Sequence, residues 1–236
     1  ASVQSQQKPV SLDESLSIAL QNNRRIKSAQ LNEKSKEQLQ KSAYDIPKLA
    51  VDADYGQFNS AVNDSRFGVS QTFAFPTLYT HQKKALQENY NAAKATSQLT
   101  SQQIKSNVRS LFYYYIWLNS KKELLAYADS IYRLMEQKSD LRYKAGETNV
   151  LEKSASQSAR QFYTNQLTMV NKDIAITLKS FNTILQDSIV HVPISANIKH
   201  DFAISLNEKI NTAELPQIQL SNHEAEAAKW KWKAEQ

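Results

Sequence analysis

The sequence predicts a mainly α-helical fold with a small β part, made of one long antiparallel helical hairpin and one amphipathic β-hairpin. The chain has 236 residues but Gly 3 and Pro 5, too few turn-forming residues for a sandwich or a compact α/β fold. An unbroken run of 69 residues, from Thr77 to Ala145, contains neither glycine nor proline. Between Pro47 and Pro76, apolar residues alternate with polar ones instead of recurring at helical intervals.

The first two segments are a short tail and a helix. Residues 1–10 are polar, and we expect them to be disordered. A helix is predicted over residues 11–45, because Ser11 and Glu14 have the spacing of a capping box and apolar residues follow at helical intervals. This helix ends before Pro47, since the residue that precedes a proline avoids helical backbone angles.

Residues 48–75 are predicted to form a β-hairpin. Two runs of about ten residues, joined by the polar loop "NSAVNDS", each carry one apolar face and one face of small or acidic residues. This pattern is typical of a tilted transmembrane strand with lipid on one side and water on the other, and also of a half-buried soluble hairpin. The apolar face carries Leu49, Val51, Ala53, Tyr55, Phe67, Val69 and Phe73, and the acidic face carries Asp52 and Asp54.

A long helix is predicted over residues 77–146 and a returning helix over residues 149–186. Ile104, Val108 and Leu118 belong to a seam with the alternating spacing of a coiled coil, and an unbroken helix of this length spans about 100 Å. Gly146 suits the end of the first helix, and Asn149 suits the N-cap of the second, with Glu152 in the capping-box position. The two helices therefore form a hairpin with a very short turn.

The remaining residues are less regular. Residues 187–214 form a mixed segment with one strand candidate around Ile189 to Ile194. Residues 215–236 weakly repeat the first helix, because "PQIQLSNHEAEAAKWKW" aligns with "RRIKSAQLNEKSKEQLQ" and "SLNE" echoes the earlier "SLDE". We interpret this stretch as the start of a second, truncated repeat.

Composition excludes several classes of function. The net charge of +6 is spread along helical faces without a nucleic-acid recognition motif, and Cys 0 removes thiolate nucleophiles and disulfides. No stretch reaches the roughly 18 apolar residues of a spanning helix. The N-terminus "ASVQSQQKPV" has no apolar h-region, so we expect a secretory signal to be either absent or already removed.

The side chains that could carry chemistry also do not combine into a site. The four histidines, His81, His191, His200 and His223, have no second ligand at metal spacing, and Met135 and Met169 are isolated. Nothing supplies a nucleophile with an oxyanion hole. We therefore expect no cofactor, no metal site and no enzymatic activity. The aromatic run "LFYYYIWL" is interpreted as packing between helices.

The order of these segments resembles the N-terminal repeat of a TolC-type outer-membrane efflux protein, over essentially the whole chain. The stretches that carry the resemblance are "SLDESLSIALQNN", "VSQTFAFPTLY" and "LRYKAGETNVLEK". Two of them, "SQTFAFPT" and "RYKAGETN.LEK", are most similar to the heavy-metal cation (Czc/Cus-like) branch found among Bacteroidetes. One departure is Arg24, which stands where the family usually has a proline after two asparagines.

The resemblance implies half of a TolC-like α/β-barrel subunit, in which residues 187–214 are an equatorial-type segment. The full-length protein would be a homotrimer in the outer membrane, with most of this chain in the periplasm. It would passively export metal cations or drugs in a tripartite system, together with a periplasmic adaptor protein and an inner-membrane RND pump. The apolar face of the β-hairpin would face lipid, and Asp52 and Asp54 would face the lumen. Five residues at the helical turn would contact the adaptor: Arg142, Gly146, Glu147, Thr148 and Leu151.

Two other classes of protein fit parts of the sequence. A periplasmic adaptor also combines a long helical hairpin with β structure, but it normally has a lipoyl-like half-motif on each side of the hairpin, and none is visible. A structural coiled-coil protein would have no use for amphipathic strands between Pro47 and Pro76.

Overall fold

The computed structural model describes residues 7–44, 48–56, 63–73, 75–194 and 215–235. The chain divides into two compact units. Unit 1 comprises Ala1–Arg25 and Ser101–Leu206, and unit 2 comprises Ile26–Thr100 and Asn207–Gln236.

Five helices are described: α1 (Leu12–Asn22), α2 (Arg24–Leu39), α3 (Pro76–Lys144), α4 (Val150–Leu185) and α5 (Pro216–Ala234). A short 3₁₀ helix, Gln40–Tyr44, follows α2. Four strands are described: β1 (Gln7–Val10), β2 (Ala50–Gly56), β3 (Asp64–Ser70) and β4 (Val190–Pro193). The single helix α3 has 69 residues and begins at Pro76, where proline is tolerated because its missing N–H has no intrahelical partner.

The N-terminal region differs from the prediction in two places. Gln7–Val10, within the segment predicted to be disordered, forms β1 and pairs in parallel with β4; residues 1–6 lie outside the described part of the chain. The helix predicted over 11–45 is divided at Asn23, whose backbone is extended. Asn23 is buried, its side-chain amide donates to the carbonyl of Ile184 at 2.8 Å, and Gln186 accepts from the backbone N–H of Arg24. These contacts with the end of α4 accompany the break in the helix at Asn23.

Unit 1 contains the helical hairpin formed by α4 and the part of α3 beyond residue 100. The ring centroids of Phe112 and Phe181 lie 6.3 Å apart, and those of Tyr132 and Tyr163 lie 4.4 Å apart, so the two helices run antiparallel. The core of this unit is aliphatic and aromatic. Its most buried apolar side chains are Val10, Val108, Phe112, Leu118, Val170, Phe181 and Leu185.

Unit 2 contains α2, the β2–β3 hairpin, the first part of α3, and α5. Its buried side chains on α3 and α5 are mostly alanines, which allow helix backbones to approach closely: Ala85, Ala92, Ala93, Ala95 and Ala227. Two histidines connect the helices. His223 Nδ1 lies 2.6 Å from Glu88 Oε2, and His81 Nδ1 lies 3.0 Å from the carbonyl oxygen of Lys233.

The mixed segment predicted over 187–214 is described only as far as residue 194. Its strand candidate is present as β4, and residues 195–214, with His200, lie outside the described residues. The parallel pairing of β4 with β1 was not predicted.

Candidate functional site

The β2–β3 hairpin presents an apolar face and an acidic face. The antiparallel register places Val51 opposite Val69 and Ala53 opposite Phe67. Because side chains alternate between the two faces of a strand, these four share one face, and Asp52 and Asp54 lie on the other. Strand β3 ends at Ser70, so Phe73, predicted as part of the strand, lies beyond it.

The predicted lipid-facing side chains are all exposed in this chain. Val51 is 67% exposed and Phe67 is 80% exposed, in a hairpin where a soluble protein would bury such residues against a core. Leu49, Ala53, Tyr55, Val69 and Phe73 are exposed as well. An apolar face of this kind needs an apolar partner.

The turn between α3 and α4 closes with a Schellman motif. The N–H of Glu147 donates to the carbonyl of Arg142 at 2.9 Å, and the N–H of Gly146 donates to that of Tyr143 at 3.1 Å. Gly146 has φ of 76°, a left-handed conformation that glycine adopts without steric cost. An apolar contact usually accompanies this motif, but here Arg142 Nε lies 4.0 Å from the Glu147 carboxylate.

Glu152 organises the same turn. Its carboxylate accepts from Arg142 Nη1 at 2.7 Å and from the hydroxyl of Thr148, and its backbone N–H donates to the N-capping side chain of Asn149 at 2.9 Å. Glu152 was predicted only as part of a capping box, and its side-chain partners were not predicted, because Arg142 lies on the other side of the turn. Three of the five predicted contact residues, Arg142, Glu147 and Thr148, are therefore engaged in shaping the turn.

Leu151 is different from its neighbours in the turn. Its side chain is 74% exposed. Val150, its neighbour in α4, and Leu141, near the end of α3, are also exposed. Among the five predicted contact residues, Leu151 is thus the one that offers apolar surface to a partner.

Ion pairs continue along the hairpin beyond the turn. Asp140 accepts from Lys144 at 2.6 Å and from Lys153 at 2.7 Å, and these two hydrogen bonds lower the pKa of Asp140 to about 2. Arg160 Nη1 lies 2.5 Å from Glu136 Oε2, and this hydrogen bond raises the pKa of Arg160. The pairs that join the two helices, Asp140 to Lys153 and Glu136 to Arg160, were not predicted, since charges 13 or more residues apart carry no local signal.

Only part of the aromatic run on α3, residues 111–118, is buried between helices. Phe112 and Leu118 are buried, whereas Tyr113, Tyr114 and Trp117 are substantially exposed. Exposed apolar side chains along one face of α3 follow a heptad pattern with 4-3 spacing, in which Ser120 takes the place of one apolar residue: Tyr113, Trp117, Leu124, Tyr127, Ile131 and Leu134. Within this chain that face has no partner helix among the described residues.

Unit 2 contains an open cleft of about 640 Å³ between three elements. Ser42 of the 3₁₀ helix, Leu78 and Gln82 near the start of α3, and Lys231 and Glu235 at the end of α5 line it. Among the described residues, no group of three or more histidine, aspartate or glutamate side chains is arranged to hold a metal ion. No described helix is long and apolar enough to cross a membrane.

No family model and no curated protein matches this chain. Solved structures do match. The outer membrane protein VceC from Vibrio cholerae superimposes with a TM-score of 0.71 at 16% identity, over 93% of this chain and 57% of that chain. CusC, whose structures concern folding and transmembrane channel formation, gives a TM-score of 0.76 at 14% identity, over 93% of this chain and 54% of that chain. The Campylobacter jejuni CmeC outer membrane channel gives 0.72 at 14% identity, over 93% of this chain and 52% of that chain.

The chain has the fold of a TolC-like half-subunit. It spans a little over half the length of the solved structures it matches, and the predicted fold class is confirmed. At these identities the likeness shows the fold alone. None of the three proteins is described as an enzyme.

Proposed function

We propose that this chain is the first repeat of an outer-membrane channel subunit that serves as the passive conduit of a tripartite efflux system. The observation that carries the proposal is the exposed apolar face of the β2–β3 hairpin, in a fold shared with outer-membrane channels. Lipid would cover Leu49, Val51, Ala53, Tyr55, Phe67, Val69 and Phe73. Asp52 and Asp54 would face water in the lumen, where a carboxylate avoids the desolvation cost of the bilayer.

Two adjacent residues test the membrane assignment. Val51→Lys places a charge on the proposed lipid face, which costs about 2–4 kcal/mol near the bilayer midplane. Asp52→Lys introduces the same side chain on the opposite face and is the matched control. We expect Val51→Lys to reduce the amount of full-length protein in the outer-membrane fraction, and Asp52→Lys to leave it unchanged. Equal behaviour of the two variants would contradict the assignment.

We also propose that the full-length protein assembles as a homotrimer, so that helices of neighbouring subunits line one tunnel. The exposed heptad face of α3 supports this, since a coiled-coil seam with Trp117, Leu124 and Ile131 at seven-residue intervals requires a facing helix. Cross-linking of the full-length protein in membranes tests the trimer. Purely monomeric material would contradict it.

At the turn between α3 and α4 we propose contact with a periplasmic adaptor, and through it with an inner-membrane RND pump. Leu151 would supply apolar contact, and Gly146 would hold the backbone so that Arg142, Glu147 and Thr148 keep their positions. We expect Leu151→Ser in the full-length protein to abolish complementation of an efflux-deficient strain while outer-membrane insertion persists. Leu31→Ser is the control, because Leu31 has a similar exposure of 66% on α2. Normal efflux by the Leu151 variant would exclude this contact.

Metal cations are the proposed substrate class, on the resemblance of "SQTFAFPT" and "RYKAGETN.LEK" to the heavy-metal branch. A strain lacking the full-length protein should become sensitive to transition-metal salts before it becomes sensitive to drugs and detergents. Sensitivity to drugs alone would assign the channel to drug export.

A further inference from the structure

The C-terminal end of α5 has an unusual composition, in which lysine and tryptophan alternate. It reads "KWKWK", with Lys229, Trp230, Lys231, Trp232 and Lys233 in succession. Because successive residues of a helix are about 100° apart, these side chains surround the helix instead of covering one face. Trp232 is 58% exposed.

Trp230 holds this end of α5 against α3. Lys84 Nζ lies 4.1 Å from the ring centroid of Trp230, Lys233 Nζ lies 4.6 Å from it, and the ring of His81 lies 5.7 Å from it. The hydrogen bond from His81 to the carbonyl of Lys233 closes the contact. The end of α5 is therefore fixed beside the first turns of α3.

Those first turns of α3 directly follow the β-hairpin in the chain. Strand β3 ends at Ser70, α3 begins at Pro76, and His81 and Lys84 lie in the first three turns of α3. On the other side of the hairpin, Lys41 and Lys48 precede β2, and the 3₁₀ helix that contains Lys41 lines the same cleft as Lys231. Three segments therefore carry lysines here: the 3₁₀ helix with the start of β2, the first turns of α3, and the end of α5. We call the place where they meet the junction.

Carboxylates near this cluster are fewer than its lysines. Glu88 contacts His223, and Glu226 accepts from Lys229 at 2.9 Å. Glu224 and Glu235 line the cleft with Lys231. The lysines Lys41, Lys48, Lys83, Lys84, Lys229, Lys231 and Lys233 outnumber these carboxylates, so the junction is basic.

We propose that this junction binds the anionic phospholipid headgroups of the membrane leaflet next to the β-hairpin. The inference rests on the proposed function, which places the hairpin in a bilayer. Tryptophan favours the membrane–water interface because its ring is apolar and its N–H is polar, and lysines near a membrane surface are attracted to anionic lipids. Trp232 lies in the headgroup region, and Lys231 and Lys233 contact phosphate groups.

The chain contains an internal control of the same composition. Trp117 on α3 is 51% exposed, and Lys121 Nζ lies 5.2 Å from its ring centroid. This tryptophan–lysine pair belongs to unit 1, away from the β-hairpin in sequence and in a different compact unit. In the proposed trimer Trp117 lies on the seam between helices, so it serves as the reference for a tryptophan outside the bilayer, whereas the proposal concerns the cluster at the end of α5.

Fluorescence quenching by brominated lipids tests the location. Three variants of the full-length protein are reconstituted into phosphatidylcholine vesicles: one retains Trp232 as its only tryptophan, one retains Trp117, and one carries Phe67→Trp with the native tryptophans replaced by phenylalanine. We expect lipids brominated close to the headgroup to quench Trp232 and not Trp117. The Phe67→Trp variant reports whether the hairpin itself is in the bilayer.

The outcomes separate the two proposals. Quenching at residue 67 without quenching at Trp232 overturns the headgroup assignment and leaves the membrane hairpin intact. Absence of quenching at residue 67 overturns the proposed function. Equal quenching of Trp232 and Trp117 shows non-specific contact with lipid and also overturns the inference.

A second measurement tests the charge. Brominated phosphatidylglycerol, at a low fraction in phosphatidylcholine, should quench Trp232 more than brominated phosphatidylcholine does at the same fraction. Lys231→Gln/Lys233→Gln should reduce that preference by up to roughly fivefold for each lysine. The control Lys121→Gln/Lys122→Gln should leave it unchanged. If Lys231→Gln/Lys233→Gln keeps the preference, recognition of anionic headgroups by these two lysines is contradicted. Loss of the preference in the control variant as well would also contradict it.

Discussion

Two sections of the same helical hairpin are stabilised in different ways. In the apolar section, formed by residues 104–118 of α3 and 170–185 of α4, Phe112 and Phe181 are in contact and almost inaccessible to solvent. In the polar section, formed by residues 129–153 and the facing residues of α4 up to 164, polar pairs join the helices beside the stacked rings of Tyr132 and Tyr163. These pairs are Asp129 to Thr164, Glu136 to Arg160 and Asp140 to Lys153. Both sections belong to unit 1.

The difference indicates which section stabilises the helical hairpin and which section can change conformation. Burial of apolar side chains is insensitive to salt and pH, whereas exposed ion pairs contribute little and depend on both. We therefore expect the apolar section to hold the hairpin together and the polar section to open more readily. A contact surface at the turn benefits from that arrangement, because a partner can adjust the turn without unfolding the unit.

The largest expected effect comes from the apolar section. Phe181 is 0% exposed, and Phe181→Ala should destabilise unit 1 by about 3–5 kcal/mol through lost burial and a cavity. Hydrogen exchange of the detergent-solubilised full-length protein measures this as faster exchange across residues 104–118. Phe162→Ala is the control on the same helix, since Phe162 is 58% exposed and its removal leaves no cavity. Similar effects of the two variants would refute the division into sections.

The turn itself gives the next largest effect. A Cβ at Gly146 would meet nothing within 4 Å, so Gly146→Ala acts only through the left-handed backbone and should cost about 1–2 kcal/mol. Gly146→Asn should cost less, because asparagine tolerates this conformation. Hydrogen exchange of amides 141–153 should accelerate more for alanine than for asparagine. The opposite order would show that the turn does not require positive φ.

Local signals in the sequence predicted local structure well. Ser11 and Glu14 form the predicted capping box, Asn149 caps α4, and Gly146 has the left-handed conformation expected of a residue that ends a helix. Each of these features depends on residues within a few positions of one another. The alternation in the β-hairpin likewise predicted its two faces, because the side-chain period of a strand is fixed.

Features that depend on distant residues could not be predicted. The break at Asn23 requires the carbonyl of Ile184 and the side chain of Gln186, and β1 exists because β4 pairs with it. The role of Glu152 is intermediate, since Arg142 is close in sequence but lies on the other helix. Which side chains face lipid or a partner depends on molecules outside this chain, and those assignments remain predictions.

Lowering the pH should have a smaller effect, which destabilises the polar section. Hydrogen bonds from Lys144 and Lys153 lower the pKa of Asp140 from 3.8 to about 2, so folding favours its ionised form. The resulting stabilisation is complete when the pH is above the pKa of Asp140 in the unfolded chain, and it is lost as the pH falls through the pKa of Asp140 in the folded protein. Between pH 4 and pH 2, exchange of amides 136–156 should therefore accelerate relative to amides 104–118. Asp140→Asn should remove this difference, and its persistence in that variant would assign it to another group.

The smallest effect concerns the pair between Arg142 and Glu152, whose side chains are about half exposed. Exposed pairs are worth about 0–1 kcal/mol, and in about 1 M salt the Debye length falls to about 3 Å, so much of that contribution should be lost. A double-mutant cycle with Arg142→Ala and Glu152→Ala, read by exchange of amides 141–153, should give a small coupling free energy at low salt that declines at high salt. A salt-independent coupling would mean that the pair acts through geometry, holding Thr148 and the turn in place. A coupling of zero would mean that the Schellman motif and the Asn149 cap shape this turn without help from the pair between Arg142 and Glu152, and would sharpen the contrast with the apolar section.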